Sequence, residues 1–269
     1  MDETTDIHDG IFAGIEEKEV TAAVVAGADG LLSGSAAAEK KAGSLGLTLH
    51  NILAEGSEVK EGNEIARFSG NPKQVVLGGE AVIGLLAKPS GIATAARACI
   101  KAAGKRMKIV SLADKKMPPG DREAIRLAVA TGGAGHGLSA DPTVYLDHNS
   151  IAMLGGMRQS IEAVSKLAQG HTIAVQLRGS HTIILEEAVE AAECGAGILF
   201  VDTGVQLDVM EVAFELERAG LRKKVKIAFG GGISRKELGE LKGQDINIVD
   251  MGKEIADAPF LDMRLELVG

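Results

Sequence analysis

The stretch "HTIAVQLRGSHTIILEEAVEAAECGAGILFVDTG", residues 171–204, contains one complete copy of the pattern that decides the fold. Two short runs rich in β-branched residues, "TIAVQL" (172–177) and "GILFV" (197–201), flank a segment with apolar residues at i, i+3, i+4 and i+7. The runs predict strands, and the segment predicts a helix with Gly195 as its C-cap. Such a βαβ unit places its two strands parallel.

Four further runs extend this pattern along the chain, namely "KIVSL" (108–112), "TVYL" (143–146), "KVKIAF" (224–229) and "INIVDM" (246–251). Six strands that alternate with helices predict a parallel sheet of the α/β class. Periodicity alone leaves two arrangements open, because a doubly wound open sheet and a small α/β barrel have the same pattern.

The first hundred residues have a different pattern. "VTAAVVAGADGLLSG" (20–34) and "HNILAEGSEVKEGNEIARFSG" (50–70) indicate strands joined by glycine turns, which predicts a separate α+β domain. A helix-rich connection follows at 79–104, and Pro89 is predicted to break or kink it. We therefore predict domains at 1–104 and 105–257, with 258–269 as a candidate for packing back on the first.

The amino-acid composition limits the kinds of molecule that the protein is expected to bind. The net charge is -8, and aromatic residues are 3% with no Trp, which argues against binding to nucleic acid. Cys99 and Cys194 form no CxxC motif, and "MDETTDIHDG" at the N-terminus lacks the features of a signal peptide. We also expect no apolar stretch of the roughly 18 residues that span a bilayer. The sequence predicts a cytoplasmic protein with reduced thiols and a small-molecule ligand, without a membrane partner.

The predicted strand ends concentrate polar chemistry. In parallel α/β folds, ligands bind beyond the carboxyl ends of the strands. The residues at these positions are Asp114, Lys115 and Lys116; Asp147 and His148; Gln176 and Arg178; Asp202; Gly230, Gly231 and Gly232; and Asp250, Gly252 and Lys253. We expect them to form one site, in which the adjacent lysines hold phosphate or carboxylate oxygens.

Two features of this set have alternative interpretations. "FGGGIS" (229–234) is expected to follow a strand and to open a helix with Ser234-Arg235-Lys236 as its first turn, which favours bound phosphate; a purely structural turn is the alternative. Asp202 can hold Mg²⁺ through its carboxylate or cap a helix. His136, His148 and Asp202 could instead form a two-His, one-carboxylate metal site, although no HxH or HExxH spacing supports it.

A set of segments in this order resembles the quinolinate phosphoribosyltransferases, also called nicotinate-nucleotide pyrophosphorylases. The segments are "LGGEAVIGLLAKPSGIATAAR" (77–97), "LADKKMPPGDREAIRLAV" (112–129), "TGGAGHGLSAD" (131–141), "YLDHN" (145–149), "LFVDTG" (199–204), "FGGGIS" (229–234) and "VDMGKEIADAPFLDMRL" (249–265). The resemblance implies an N-terminal α/β sandwich domain, an incomplete α/β barrel, and a homodimer or higher homo-oligomer. In the dimer, one subunit's first domain closes the other's site.

The resemblance also implies an activity in NAD biosynthesis. The family transfers the phosphoribosyl group of phosphoribosyl pyrophosphate, with Mg²⁺, to quinolinate, and decarboxylation follows. It implies catalytic roles for Lys116 and Asp202, with Asp202 on the metal of the Mg-phosphoribosyl pyrophosphate complex. The substrate-binding residues would be Lys115, His136, His148, Gln176, Arg178, Gly230, Gly231, Gly232, Gly252, Lys253 and Glu80.

Several positions depart from the family pattern. Lys115 and Glu80 stand where the family has Arg, Leu146 stands where it has Lys, and Gln176 stands where it has Glu. These departures leave two alternatives open: an enzyme that acts on a different acceptor, or a non-catalytic homologue that binds a ligand.

Overall fold

A computed structural model describes residues 7–268 of the chain. They divide into two compact units: the first contains 7–97, 118–132 and 257–268, and the second contains 98–117 and 133–256. This division differs from the predicted one at two segments: 118–132 groups with the first unit, and 98–104 groups with the second. The C-terminal segment from 257 onward also groups with the first unit.

Within the described residues, the helices are α1 (Ile7–Ile11), α2 (Ser35–Ser44), α3 (Pro72–Ala103), α4 (Arg122–Thr131), α5 (His148–Met153), α6 (Met157–Leu167), α7 (Ile184–Glu193), α8 (Gln206–Arg218), α9 (Leu238–Leu241) and α10 (Gly252–Ala256). The strands are β1 (Val20–Ala26), β2 (Gly30–Leu31), β3 (Thr48–Ile52), β4 (Glu58–Val59), β5 (Glu64–Gly70), β6 (Lys108–Val110), β7 (Thr143–Leu146), β8 (Thr172–Leu177), β9 (Ile198–Asp202), β10 (Lys226–Gly230), β11 (Ile248–Asp250) and β12 (Met263–Val268).

The first unit is built on an antiparallel sheet with the strand order β12-β1-β5-β3. Alternate residues of the strands, such as Val24 and Phe68, are fully buried and pack in one cluster with Val82 and Leu86 of α3. The last strand, β12, pairs with β1, so that Met263 lies opposite Ala26. The C-terminal residues therefore complete the sheet of the N-terminal domain.

Helix α3 continues through Pro89, so Pro89 does not break it. The missing N–H of proline weakens a helix, but tertiary hydrogen bonds hold this one next to Pro89. The Ala87 carbonyl accepts from the Leu261 N–H at 3.0 Å, and the Ser90 hydroxyl accepts from the Ser33 N–H at 2.9 Å. Tertiary contacts thus override the local signal of the proline.

The same helix corrects a second expectation. By length and composition alone, α3 is long and apolar enough to cross a membrane, although no such stretch was expected from the sequence. Val75, Val82 and Leu86 are buried in the core of the first unit. The apolar composition of this helix is explained by its position in that core.

The second unit contains one parallel sheet with the strand order β6-β11-β10-β9-β8-β7. All six predicted strands are present, and β6 and β7 form its edges. This strand order is that of an incomplete α/β barrel, which confirms the predicted fold class. Gly195, in the left-handed region at φ 103°, follows the C-cap of α7 as the sequence indicates.

Candidate functional site

The polar residues at the strand ends share one face of the parallel sheet. Residues of the inner strand positions form an apolar cluster: Val110, Ala174, Ile198, Phe200, Ala228 and Ile248, with Tyr145 packed against them. Side chains alternate along a strand, so the residue two positions further lies on the same face. At the carboxyl ends this face carries Gln176, Asp202, Gly230 and Asp250. The fold therefore places polar groups directly above an apolar floor.

Gln176 connects two of the predicted site residues. Its Nε2 donates to Oδ2 of Asp202 at 2.6 Å, and its Oε1 accepts from the backbone N–H of His148 at 3.1 Å. The Nδ1 atom of His148 lies 3.1 Å from the same Oε1. One amide side chain thus joins the ends of β7, β8 and β9.

Arg178 adds a positive charge beside Asp202. Its Nη2 lies 3.4 Å from Oδ2 of Asp202, and its Nε donates to the Asp202 carbonyl oxygen at 3.3 Å. The loop that carries Arg178 is fixed by the buried carboxylate of Glu187, which accepts from the N–H groups of Arg178, Gly179 and His181. Sequence analysis did not identify Glu187; its position in the first turn of α7, just after a glycine loop, was the available signal.

Tyr145 lies among the charged groups of the site. The Nζ atom of Lys115 is 4.4 Å from the centroid of its ring, a cation–π distance. Burial raises the pKa of the Tyr145 hydroxyl, and the negative charges of Asp202, Asp147 and Asp250 raise it further. Tyr145 therefore remains a neutral hydroxyl. The sequence comparison drew attention to Leu146, but Tyr145 is the residue of this strand on the site face.

Asp250 is a partly buried carboxylate at the end of β11. Its Oδ1 accepts from the N–H groups of Leu112 and Gly252, at 2.9 and 3.1 Å. Burial raises the pKa of Asp250 to about 6, the charge of Asp202 adds to this increase, and the charge of Lys116 opposes it. The exposed Lys116 thus acts electrostatically on the site face.

The glycines after β10 lie where two backbone segments approach each other closely. Gly231 has φ 109°, and a Cβ atom there would lie 2.3 Å from the Gly204 nitrogen. That nitrogen donates to the Gly230 carbonyl at 2.8 Å. A Cβ at Gly232 would meet nothing within 4 Å, so only this glycine faces open space.

The helix expected after these glycines begins later than predicted. Residues 235–237 form a turn, and α9 starts at Leu238 and contains four residues. Glu237 explains the delay, because its carboxylate accepts from both the N–H and the hydroxyl of Ser234, at 2.7 and 2.5 Å. Because no helix begins at Ser234, a helix N-terminus is not available here for phosphate, and the glycine amides remain as backbone donors.

Three predicted residues lie apart from this cluster. His136 is exposed on the loop next to β6, and Lys253 is exposed on α10. Neither forms a hydrogen bond or ion pair with the cluster in the part of the chain that the structure describes. Glu80 is exposed on α3, in the first unit. Gly252 takes part through its N–H, which binds Asp250.

The residues fit a metal only in a limited way. Between residues 7 and 268, no group of three His, Cys, Asp or Glu side chains could hold a metal ion, so the site of His136, His148 and Asp202 is not formed. Asp202 has Oδ2 engaged by Gln176 and Arg178, whereas its Oδ1 accepts no hydrogen bond from the described residues. One carboxylate oxygen suits Mg²⁺ that takes its other ligands from substrate phosphates and water.

The open parallel barrel with charged groups at its carboxyl edge defines a class of α/β protein in which ligand sites lie at that edge. Family comparison makes this specific. Residues 2–90 match the N-terminal domain of quinolinate phosphoribosyl transferase, and residues 92–266 match its C-terminal domain. The chain belongs to the quinolinate phosphoribosyl transferase family.

Individual relatives agree with this assignment. A probable nicotinate-nucleotide pyrophosphorylase (carboxylating) of Archaeoglobus fulgidus is 29% identical over 262 residues, which cover 96% of this chain and 98% of the relative. The human nicotinate-nucleotide pyrophosphorylase (carboxylating) is 29% identical over 218 residues, covering 80% and 71%. The solved structure of the nicotinate-nucleotide pyrophosphorylase from Francisella tularensis matches with a TM-score of 0.81 at 20% identity, covering 99% and 91%, and supports the fold.

Proposed function

We propose that this chain is a nicotinate-nucleotide pyrophosphorylase (carboxylating) like its relatives, and that it transfers a phosphoribosyl group from phosphoribosyl pyrophosphate to quinolinate. The observation that carries the proposal is the cluster at the carboxyl edge of the parallel sheet, where Lys115, Arg178 and Asp202 surround Tyr145. Both substrates are polyanions, and this edge presents cations beside a carboxylate that can accept from sugar hydroxyls.

The reaction exchanges one bond at the ribose for another. The pyridine nitrogen forms a bond to C1 of the ribose, and the bond from C1 to the pyrophosphate oxygen breaks with its electron pair on pyrophosphate. The carboxyl group next to the ring nitrogen then leaves as CO₂, and the ring carbon takes up a proton. Positive charge develops at C1, so positioning and electrostatic stabilisation are the main contributions the protein can make.

Each side chain has a role in this proposal. Asp202 binds ribose hydroxyls and lies on the side of the developing positive charge. Lys116 and Lys115 hold phosphate or carboxylate oxygens, and Lys115 is kept over the Tyr145 ring. Arg178 supplies the forked guanidinium geometry that Lys115, standing where the family has Arg, does not provide. The amides of Gly231 and Gly232 are candidates for the sugar phosphate.

Magnesium, when bound with phosphoribosyl pyrophosphate, would neutralise charge on the leaving pyrophosphate. Asp202 Oδ1 is the chain's candidate ligand for it. We also propose that the protein works as a soluble, cytoplasmic homodimer, in which the exposed Glu80 faces the site of the other subunit. Two measurements on the Glu80→Arg variant test that placement. Sedimentation measures whether the dimer forms, and the turnover rate measures whether position 80 affects the site of the other subunit.

The direct test incubates the purified protein with Mg²⁺, phosphoribosyl pyrophosphate and quinolinate, and follows pyrophosphate release together with the mass of the nucleotide. The expected product is nicotinate mononucleotide with one CO₂ per turnover. Nicotinate in place of quinolinate is the control, because it lacks the carboxyl group that is lost. Binding of phosphoribosyl pyrophosphate without any product would contradict catalysis and favour a ligand-binding role.

A further inference from the structure

We propose that Gln176 is a positioning residue that holds the ring proton of His148 on Nδ1, so that Nε2 of His148 accepts a hydrogen bond from a ligand hydroxyl. The first half concerns the chain alone. The second half rests on the proposed function, which supplies a ribose as the hydroxyl-bearing ligand. Neither half depends on a metal.

The orientation of the Gln176 amide follows from its neighbours. The backbone N–H of His148 is a donor only, and it lies 3.1 Å from one end of the amide. That end must be the acceptor Oε1, since an NH₂ group there would face another donor. The opposite end is therefore the NH₂ group, which donates to Oδ2 of Asp202 at 2.6 Å. An invariant backbone donor thus removes the usual ambiguity of an amide side chain.

The same amide determines the tautomer of His148. Nδ1 of the ring lies 3.1 Å from Oε1 of Gln176, and an amide oxygen only accepts. Nδ1 must therefore carry the proton. In the neutral ring this leaves Nε2 with a lone pair, and Nε2 has no hydrogen-bond partner among residues 7–268. The ring nitrogen that Gln176 does not bind is thus an acceptor.

Two acceptors consequently flank Gln176. Asp202 keeps Oδ1, which can accept from a hydroxyl or bind the Mg²⁺ of the substrate complex, and His148 keeps Nε2. A ligand that reaches Nε2 of His148 meets an acceptor there and must bring an O–H group to it, whereas phosphate oxygens are met by the donors of Arg178. Sugar hydroxyls meet that requirement, whereas pyrophosphate does not. A glutamate at 176 would instead place a second carboxylate against Asp202.

The test reads the tautomer directly by nuclear magnetic resonance. Protein labelled with ¹⁵N in histidine is measured well above the usual pKa range of imidazole, and the His148 signals are assigned by their loss in the His148→Gln variant. We expect nearly all of the neutral ring in the Nδ1–H form. In Gln176→Leu the preference should be lost, and in Gln176→Glu, which retains the acceptor, it should persist. A wild-type ring in the Nε2–H form would overturn the proposal, even if Gln176→Leu does not fold.

The ligand half is tested on the same signals. Addition of phosphoribosyl pyrophosphate should shift the His148 Nε2 resonance, whereas inorganic pyrophosphate, which has no sugar hydroxyl, should not. An equal shift with both would overturn the assignment to a hydroxyl. His148→Ala should weaken binding of phosphoribosyl pyrophosphate by about tenfold, the effect of one lost hydrogen bond. If the tautomer is as expected and phosphoribosyl pyrophosphate does not bind at all, the proposed function fails while the role of Gln176 stands.

Discussion

The two edges of the parallel sheet each contain an arginine beside an aspartate, but only one of these pairs is complete. At the amino edge, Nε and Nη2 of the buried Arg222 donate to the two carboxylate oxygens of Asp245, both at 2.6 Å. Arg222 also donates to the Val225 carbonyl at 2.9 Å, the Asn247 side chain at 3.0 Å and the Asp245 carbonyl at 3.2 Å. At the carboxyl edge, Arg178 approaches a single carboxylate oxygen of Asp202 at 3.4 Å, and its other contact with this residue is to the backbone carbonyl.

The difference separates a structural pair from a functional one. A guanidinium whose donors are used within the protein has little left for a ligand, and its loss affects folding. Asp202 accepts through Oδ2 and leaves Oδ1 unused by the described residues, while Arg178 is almost half exposed. A pair left incomplete in this way keeps hydrogen-bonding capacity for a substrate. Completeness of hydrogen bonding, rather than residue type, therefore distinguishes the two edges.

The largest expected effect is the loss of activity in Asp202→Asn. The asparagine retains the size of the side chain and can still accept from Gln176, but it removes the charge that faces the ribose. We expect transfer to fall about 10³-fold, in the range observed when one preorganised electrostatic contact is removed. The rate of nicotinate mononucleotide formation measures it, with thermal unfolding as a check that the variant is folded.

The matched control is Asp245→Asn at the amino edge. It makes the same chemical change in the other Arg–Asp pair. The transfer rate should stay within about twofold of wild type, because the Asp245 carboxylate is 62% exposed and has no role in substrate binding in this proposal. If both variants lost activity equally, the distinction between the two edges would be wrong.

Most of the fold follows from local patterns in the sequence. Runs of β-branched residues and helical spacing identify all six parallel strands, and the polar residues that follow them identify the edge where the site lies. Pro89 and Ser234 show where local patterns fail. The helix through Pro89 is held at Ala87 by a hydrogen bond from Leu261, which lies far along the chain, and the turn at Ser234 is held by the carboxylate of Glu237. Contacts of this kind are decided by tertiary structure or by side-chain geometry.

The second prediction concerns the Arg222–Asp245 pair, and its expected effect is smaller than that of Asp202→Asn. Arg222→Ala removes hydrogen bonds to Asp245, Val225 and Asn247, and should lower the free energy of unfolding by about 3 kcal/mol. The estimate stays at the low end for a buried pair because Asp245 can regain water once the arginine is gone. Denaturant titration measures the change, and activity per folded molecule should remain.

Arg218→Ala serves as the comparison for this variant. Arg218 forms an exposed pair with Glu215 on α8, and solvent screens such pairs so that they contribute little to stability. Similar losses in the two variants would mean that the amino-edge network contributes no more than a surface ion pair. A collapse of turnover in folded Arg222→Ala would equally contradict the assignment of this edge to stability alone.

The site is predictable only in part, and Tyr145 and Glu187 show why. Strand-end position identifies Lys115, Gln176, Arg178 and Asp202, because the topology brings strand ends together. Whether Tyr145 or Leu146 faces the substrate depends on strand register, which shifts with a single residue. Glu187 acts through three backbone N–H groups and does not point at the site. Backbone partners leave no signature in a list of residue types.

The smallest predicted effect is a dependence of stability on pH that comes from Asp250. Its folded pKa of about 6 lies above the value of 3.8 for a free side chain, because burial disfavours the charge. Protonation therefore favours the folded state. The stabilisation is fully present below the unfolded pKa and is lost as the pH rises through the folded pKa, so the wild type should lose about 2 kcal/mol from this group between about pH 4 and pH 7.

Asp250→Asn tests the sign as well as the size of this effect. Asparagine cannot ionise, and its oxygen can still accept from Leu112 and Gly252. The free energy of unfolding of the variant, minus that of wild type, should therefore increase with pH across this window. Lys116→Ala should enlarge the wild-type dependence, because the charge of Lys116 lowers the pKa of Asp250. A flat difference would show that Asp250 ionises at no cost, which would make the carboxyl edge as fully compensated as the amino edge.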